Sequence, residues 1–337
     1  MPPQEQPGPF ALLEMIMGSM VTQAIHVAAR LGFADLLAGG PRTADDVAAR
    51  AGADPDATAR LLRALASFSI FTEEDGRFGL TPVGEALCSD APFSVRDMAL
   101  LMGHPFQWED WGHLIDAIRT GEPVLPTFRK MGGYEFLEAN PEFAKVFEGG
   151  MGTLSRMENE PIADAYDFSP FGTIVDVFGG QGALLTAILR RATGARGVLC
   201  DARAEQLGAA AAFAEAGLAD RCEVELGGFF DKPPGGGDAY LLKHIVHEWP
   251  EPQALEILRN VREAIKDDGR LLLMEFVLPD GSEPHPGRLV DLWLMVLMGG
   301  KERTAAQYAD LLARAGFRFE RVVPTAAGVA IVEAVPV

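Results

Sequence analysis

Apolar positions recur at helical spacing over ALLEMIMGSMVTQAIHVAARLG (11–32), alternate around Asp75-Gly76, and form short unbroken runs from residue 172 onward. Each pattern predicts its own element. The first predicts a helix rich in Met and Ala. TADDVAARAG (43–52) opens on Thr43 as a cap and stops on Gly52, and DPDATARLLRALASFSI (54–70) opens on Asp54-Pro55, so two more helices are expected. SIFTEEDGRFGLT alternates about an Asp-Gly pair, the strongest short hairpin signal, and TPVGEALCSD (81–90) adds a short helix. Residues 99–165 read as helical and aromatic-rich. Phe106, Trp108, Trp111, Phe136 and Phe143 lie there with Met102, Met131, Met151 and Met157, more apolar bulk than one short segment needs for its core.

The later runs are strands: GTIVDVFGG (172–180), GVLCDA (197–202), CEVELGGFF (222–230), DAYLLKH (238–244) and RLLLMEFVL (270–278). Helical stretches separate them, among them ALLTAILRRA and EPQALEILRNVREAIKDDG (251–269). Strands alternating with helices predict an α/β, doubly wound parallel sheet, with ligands beyond the carboxyl ends of its strands. Three regions follow: a winged-helix-like domain at 1–98, a helical pocket segment at 99–165 and the sheet domain at 166–337.

Helix, helix, helix, hairpin is the order of a winged helix, which raises DNA as a partner. Charge argues against it. The second helix of the pair offers only Arg60 and Arg63, beside Asp54 and Asp56, on a chain of net charge −19. Phosphate neutralisation needs a basic face, so neither nucleic acid nor an anionic membrane is expected. The domain is instead expected to pack against a second subunit, giving a homodimer. Three scattered cysteines, Cys88, Cys200 and Cys222, form no disulfide framework and no metal spacing. The N-terminus has neither the basic nor the apolar region of a signal peptide, and no uncharged apolar run reaches the ~18 residues of a membrane span. A soluble, cytoplasmic protein is expected.

Candidate chemistry gathers at the strand ends. Asp176-Val177-Phe178-Gly179-Gly180-Gln181-Gly182 is a glycine-rich loop after the first strand, and Asp201 ends the second. Glycines admit close backbone approach, and an acid at that position can accept both ribose hydroxyls. A dinucleotide and S-adenosylmethionine both fit, although the loop lacks the G-x-G-x-x-G of a dinucleotide site. LLKHIVHEWPEP (241–252) sets His244 and His247 three residues apart just after another strand.

DVFGGQG, LLKHIVHEWPEPQALEILRNVREAI, LLLMEFVLP and DLWLMVLMGGKERTAAQYADLLARAGF, together with the N-terminal domain, resemble the caffeic-acid-type small-molecule O-methyltransferases, in particular their bacterial natural-product branch. The resemblance implies S-adenosyl-L-methionine as cofactor and transfer to a hydroxyl of a small, aromatic metabolite. It places the general base at His247, with Glu275 and Glu302 as supporting carboxylates. It places the cofactor on Gly179, Gly180 and Gly182, on Asp201 at the ribose, on Gly228 and Phe229 at the adenine, and on Lys243 and Ser155. His244 is read as structural, Trp249 as packing, and no metal site is expected. Glu248 is read either as orienting a substrate hydroxyl or as a solvated loop acid.

Two positions depart from the pattern. Phe178 stands where the family carries glycine, and Gly228 stands where it carries an aspartate for the adenine amino group, a charge-assisted bond of ~1.5–3 kcal/mol. Three readings therefore remain: an active methyltransferase with rearranged cofactor binding, a homologue using the cofactor for non-methylating chemistry, and a silent ligand-binding dimer.

Overall fold

The computed structural model describes residues 8–337 and divides into two compact units. One runs through Gly112 and includes Leu137–Leu154; the other comprises His113–Phe136 and Ser155–Val337. This division shares the 99–165 stretch, read above as one segment, between the two units.

The first unit follows its local signals. Helices run Gly8–Arg30, Ala44–Ala51 and Pro55–Ala66, and the Thr43 and Asp54 side chains accept from Asp46 N and Ala57 N as caps. Each such cap contributes about 1 kcal/mol. The hairpin turns at Asp75-Gly76, both at positive φ, joining β2 (Phe71–Glu74) to β3 (Arg77–Leu80); β1 (Arg42–Thr43) pairs with β3. Phe33, Leu62, Leu65, Phe71 and Phe78 fill the core. The first helix contains Glu14, yet by length and composition it is long and apolar enough to cross a membrane, which a search for uncharged runs misses. Its Phe10, Met15, Ile16 and Met20 are exposed.

The second unit carries the sheet. In chain order its strands are β4 (Thr173–Val177), β5 (Arg196–Cys200), β6 (Cys222–Glu225), β7 (Ala239–Lys243), β8 (Arg270–Glu275), β9 (Val277–Leu278), β10 (Arg303–Thr304), β11 (Phe317–Pro324) and β12 (Ala330–Pro336). The seven-stranded order is β11-β12-β8-β7-β4-β5-β6, and β9 pairs with β10 apart from it. Five strands are parallel, while β12 runs antiparallel to both β8 and β11. That closing hairpin is a departure from the wholly parallel sheet expected. Ile174, Leu241, Leu272 and Met274 enter one core layer; Val175, Val177, Tyr240, Leu242, Leu271 and Leu273 enter the other. Burial on both faces is why these strands read as unbroken apolar runs.

β6 stops at Glu225, earlier than the run to 230 predicts. Two adjacent glycines, Gly227 and Gly228, release the chain into a turn. The chain order reverses at β4, whose neighbours are β5 and β7. Crevices of this kind, outside the carboxyl ends of the strands, are where open α/β sheets bind ligands.

Candidate active site

The glycine loop after β4 is shaped by backbone demands. Gly180 and Gly182 have φ of 61° and 80°. A Cβ on Gly182 would lie 2.4 Å from the Phe213 ring, and one on Gly179 would lie 2.2 Å from the Asp176 carboxylate. Gly180 N donates to Asp201 Oδ2 at 2.9 Å, and Arg203 N donates to Oδ1 at 2.7 Å. The end of β5 and the glycine loop are thereby tied together. Asp201 keeps spare lone pairs for further donors.

Phe178 occupies the left-handed region at φ 64°, a conformation that costs a side-chain-bearing residue roughly 1–2 kcal/mol. Its N–H donates to Cys200 O at 2.7 Å, and its ring lies 4.6 Å from that of Phe229. The residue is strained in backbone and anchored by an aromatic contact. Removing the ring isolates the backbone term. Phe178→Gly should be more stable than Phe178→Ala by about 1 kcal/mol, the reverse of the usual order, in urea denaturation.

Lys243, at the end of β7, places Nζ 2.5 Å from Ser155 Oγ and 2.6 Å from Asn159 Oδ1. Burial holds its ammonium below the usual lysine range, and Glu158 and Asp176 oppose that shift. Asp176 is 1 % exposed; burial pushes its carboxyl up to about 7 against the pull of Lys243, and its Oδ2 has no hydrogen-bond partner. Ser155, Glu158 and Asn159 share one face of the helix Pro141–Ala165 at i, i+3 and i+4. Nothing in the sequence singles out Glu158 and Asn159 beyond that helical spacing from Ser155.

His247, Glu275 and Glu302 converge, 6 %, 0 % and 3 % exposed. His247 Nδ1 lies 2.7 Å from Glu302 Oε1 and 3.3 Å from Glu275 Oε2. Glu275 Oε1 accepts from the backbone N–H of Val246 at 3.0 Å and of His247 at 3.4 Å. One carboxylate therefore fixes the loop and the other the ring. Glu302 is positioned in turn by its own N–H donating to Asp291 Oδ1 at 2.8 Å. Among the described residues nothing hydrogen-bonds His247 Nε2. Burial depresses the His247 pKa to about 4 despite the opposing charge of Glu275, and burial raises Glu302 to about 8. Neither glutamate is the surface acid that its place in sequence would allow.

Gly300 makes this convergence possible. A Cβ there would lie 1.9 Å from His247 O and 2.5 Å from the Glu248 carbonyl carbon, both rigid backbone. Gly300→Ala should cost about 1–3 kcal/mol of stability in denaturant titration, as overpacking does, and displace the histidine loop with loss of turnover.

His244 has φ 56° and places Nε2 2.9 Å from Glu158 Oε2, its ring 5.0 Å from that of His247. Burial lowers its pKa, yet the Glu158 carboxylate leaves it raised overall. His244, His247 and Glu275 each offer a ligand atom within 4.8 Å of the others, a proximity invisible in their spacing. All three are already engaged with one another, with Glu158 or with Glu302. Glu248 is half-buried: burial raises its pKa to about 7, and Tyr134 Oη donates to its Oε2 at 2.8 Å. That contact excludes the solvated-loop reading. Tyr134 also lies 5.1 Å from the Phe229 ring and 6.0 Å from Trp249, while Phe229 and Trp249 meet edge-on at 5.2 Å. No sequence signal singled out Tyr134.

A glycine cradle with no room for a side chain at 179 or 182, an acid with lone pairs to spare at the second strand end, and an aromatic wall beyond it fit an adenosyl group. The chain matches the family pattern of an O-methyltransferase domain over residues 111–318 and that of an O-methyltransferase dimerisation domain over 13–90. It belongs to the O-methyltransferase family, and its cofactor is S-adenosylmethionine. It is 42 % identical to the phenazine O-methyltransferase PhzM of Lysobacter antibioticus over 97 % of this chain and 96 % of that protein. It is 35 % identical to the 8-amino-8-demethylriboflavin N,N-dimethyltransferase of Streptomyces davaonensis, over 93 % and 91 % of the two chains. Among solved structures, LaPhzM superposes with a TM-score of 0.92 at 41 % identity, covering 98 % of this chain and all of that one. NcsB1 from neocarzinostatin biosynthesis, solved with S-adenosylmethionine and 2-hydroxy-5-methyl naphthoic acid, gives 0.80 at 33 % identity over 94 % and 96 %.

Proposed function

We propose that this enzyme methylates a hydroxyl group of a small aromatic metabolite, with His247 as general base. The observation that carries this reading is the buried His247–Glu302 contact at 2.7 Å, just past the carboxyl end of β7. With Nδ1–H donating to an ionised Glu302, the lone pair sits on Nε2, the nitrogen that no described residue engages. A phenol titrates near 10, so at neutral pH it needs such a base to become a good nucleophile. When bound, the cofactor supplies an electrophilic methyl group on a sulfonium. Gly179, Gly180, Gly182, Asp201, Phe229, Lys243 and Ser155 would hold it, the acid taking the ribose hydroxyls. Holding the acceptor oxygen in line contributes as much as the base or more.

Glu275 and Glu302 are assigned as positioning residues. Their charge stabilises the imidazolium formed when His247 takes the proton, as carboxylates do in other base–orienter pairs. The exposed apolar residues Phe10, Met15, Ile16 and Met20 belong, in this reading, to the interface of a homodimer; sedimentation should give twice the chain mass.

The test uses S-adenosylmethionine carrying a labelled methyl group and paired hydroxy- and amino-arenes, hydroxyphenazines and hydroxynaphthoates included. Label on oxygen is the expected result. Label on nitrogen alone would make this an N-methyltransferase, and turnover of cofactor without labelled product would mean different chemistry.

A further inference from the structure

β4, β5 and β6 are adjacent parallel strands, so the glycine loop, Asp201 and the turn at 226–231 follow one another along a single edge of the sheet. β7 lies on the opposite side of β4 and leads to His247. A methyl group delivered at His247 must lie on the β7 side. With the ribose on Asp201, the turn after β6 is the neighbouring strand end that the nucleobase can reach. That turn carries Phe229, whose ring lies among those of Phe178, Tyr134 and Trp249. Its sequence, Leu226-Gly227-Gly228-Phe229-Phe230-Asp231, contains one carboxylate.

That carboxylate folds back over the turn. Asp231 Oδ2 accepts from Gly228 N at 2.8 Å and lies 3.2 Å from where a Cβ on residue 228 would stand. It fills the space that a side chain at 228 would use. The turn itself is pressed onto the end of β5: a Cβ on Gly227 would lie 2.8 Å from Cys200 Sγ, one residue before Asp201. Consistent with that proximity, the Cys200 thiol is pushed up to about 11 by burial and by the acids around it, Glu225, Asp201 and Asp231 among them.

We propose that Asp231 accepts a hydrogen bond from the exocyclic amino group of the cofactor's adenine, replacing the acceptor that Gly228 cannot provide, and so selects 6-amino over 6-oxo purine nucleosides. A carboxylate accepts at about four lone-pair positions, and the turn uses one. A 6-oxo purine presents an acceptor at the same edge and leaves two oxygens facing each other without a proton. The inference rests on the placement of the ribose at Asp201.

The experiment is calorimetric titration with S-adenosylhomocysteine and S-inosylhomocysteine. Four proteins are compared: wild type, Asp231→Asn, Asp201→Ala, and the double variant Gly228→Asp/Asp231→Ala. Asparagine keeps an oxygen for Gly228 N–H and so preserves the turn. Wild type should prefer the adenosine ligand by about tenfold or more, the scale of one mismatched polar contact. Asp231→Asn, whose amide N–H can meet an oxo oxygen but not an amino group, should weaken the adenosine ligand and strengthen the inosine ligand, so that the preference is lost, and the double variant should restore it. Equal weakening of both ligands by Asp231→Asn, or no change in either, would overturn the role of Asp231. If Asp201→Ala leaves S-adenosylhomocysteine binding untouched, the ribose placement itself fails and takes the proposal with it.

Discussion

His247→Ala should lower methyl transfer by about 10²–10⁴-fold and leave S-adenosylhomocysteine affinity nearly unchanged. The size follows from what is removed. A neutral phenol is a weak nucleophile, and a positioned base is the group that ionises it as the new bond forms. The sparing of cofactor affinity follows from the layout. His247 lies past β7, whereas the glycine loop and Asp201 hang from β4 and β5 and are tied to each other through Gly180 N. Single-turnover transfer and calorimetry on the same preparation check both halves. A variant keeping more than about a tenth of the activity would remove His247 from the base role.

The second large effect is expected at Glu302. His247 and Glu302 exchange protons as a pair, in two steps marked by the depressed histidine, about 4, and the raised glutamate, about 8. Only the fully deprotonated pair is a working base, with Glu302 ionised, Nδ1–H donating to it and Nε2 free. Adding one proton, on either partner, spoils it. The working form therefore appears as pH rises through the upper step, so kcat/KM should be half-maximal near pH 8, with its plateau above that, rather than half-maximal near the 6.5 of a free histidine. Glu302→Gln should reduce the plateau by roughly 10²-fold, since imidazolium is no longer stabilised by charge. It should also move the acid limb downward, because the upper step has gone and the depressed histidine titrates alone. A pH profile of wild type against variant reads both. A reduced rate with an unmoved limb would mean that Glu302 only supports the loop.

What was legible in the sequence was local. Thr43 and Asp54 cap as their residue types dictate, Asp75-Gly76 turns the hairpin, and strands buried on both faces read as apolar runs. What was not legible depends on tertiary approach. Nothing local ends β6 at Glu225 except two glycines inside an apolar run, and the β11–β12 hairpin carries no turn signal as strong as Asp-Gly. The base constellation is of the same kind. Glu302 lies 55 residues from His247 in the chain, and resemblance to a family, rather than spacing, pointed to it. Tyr134 reaches Glu248 across 114 residues and left no trace in the sequence. Phe178 stands out in the sequence as a departure from the family pattern, yet only the backbone shows that it stands at positive φ with its ring against Phe229. Gly228 was the counterpart case. The sequence showed a lost carboxylate, and the fold brings Asp231 into the vacated space.

The account's central claim, that His247 acts by taking a proton rather than by holding substrate in place, is tested most directly by varying the acidity of the acceptor. Wild type and His247→Ala would be compared in single turnover, at one pH, on hydroxyarenes of similar shape whose pKa runs from about 10 down to well below the assay pH. If His247 is the base, the variant's deficit shrinks steadily as the acceptor becomes acidic and nearly vanishes for one already ionised in solution. A deficit of the same size across the whole series would contradict the claim and leave His247 a positioning residue.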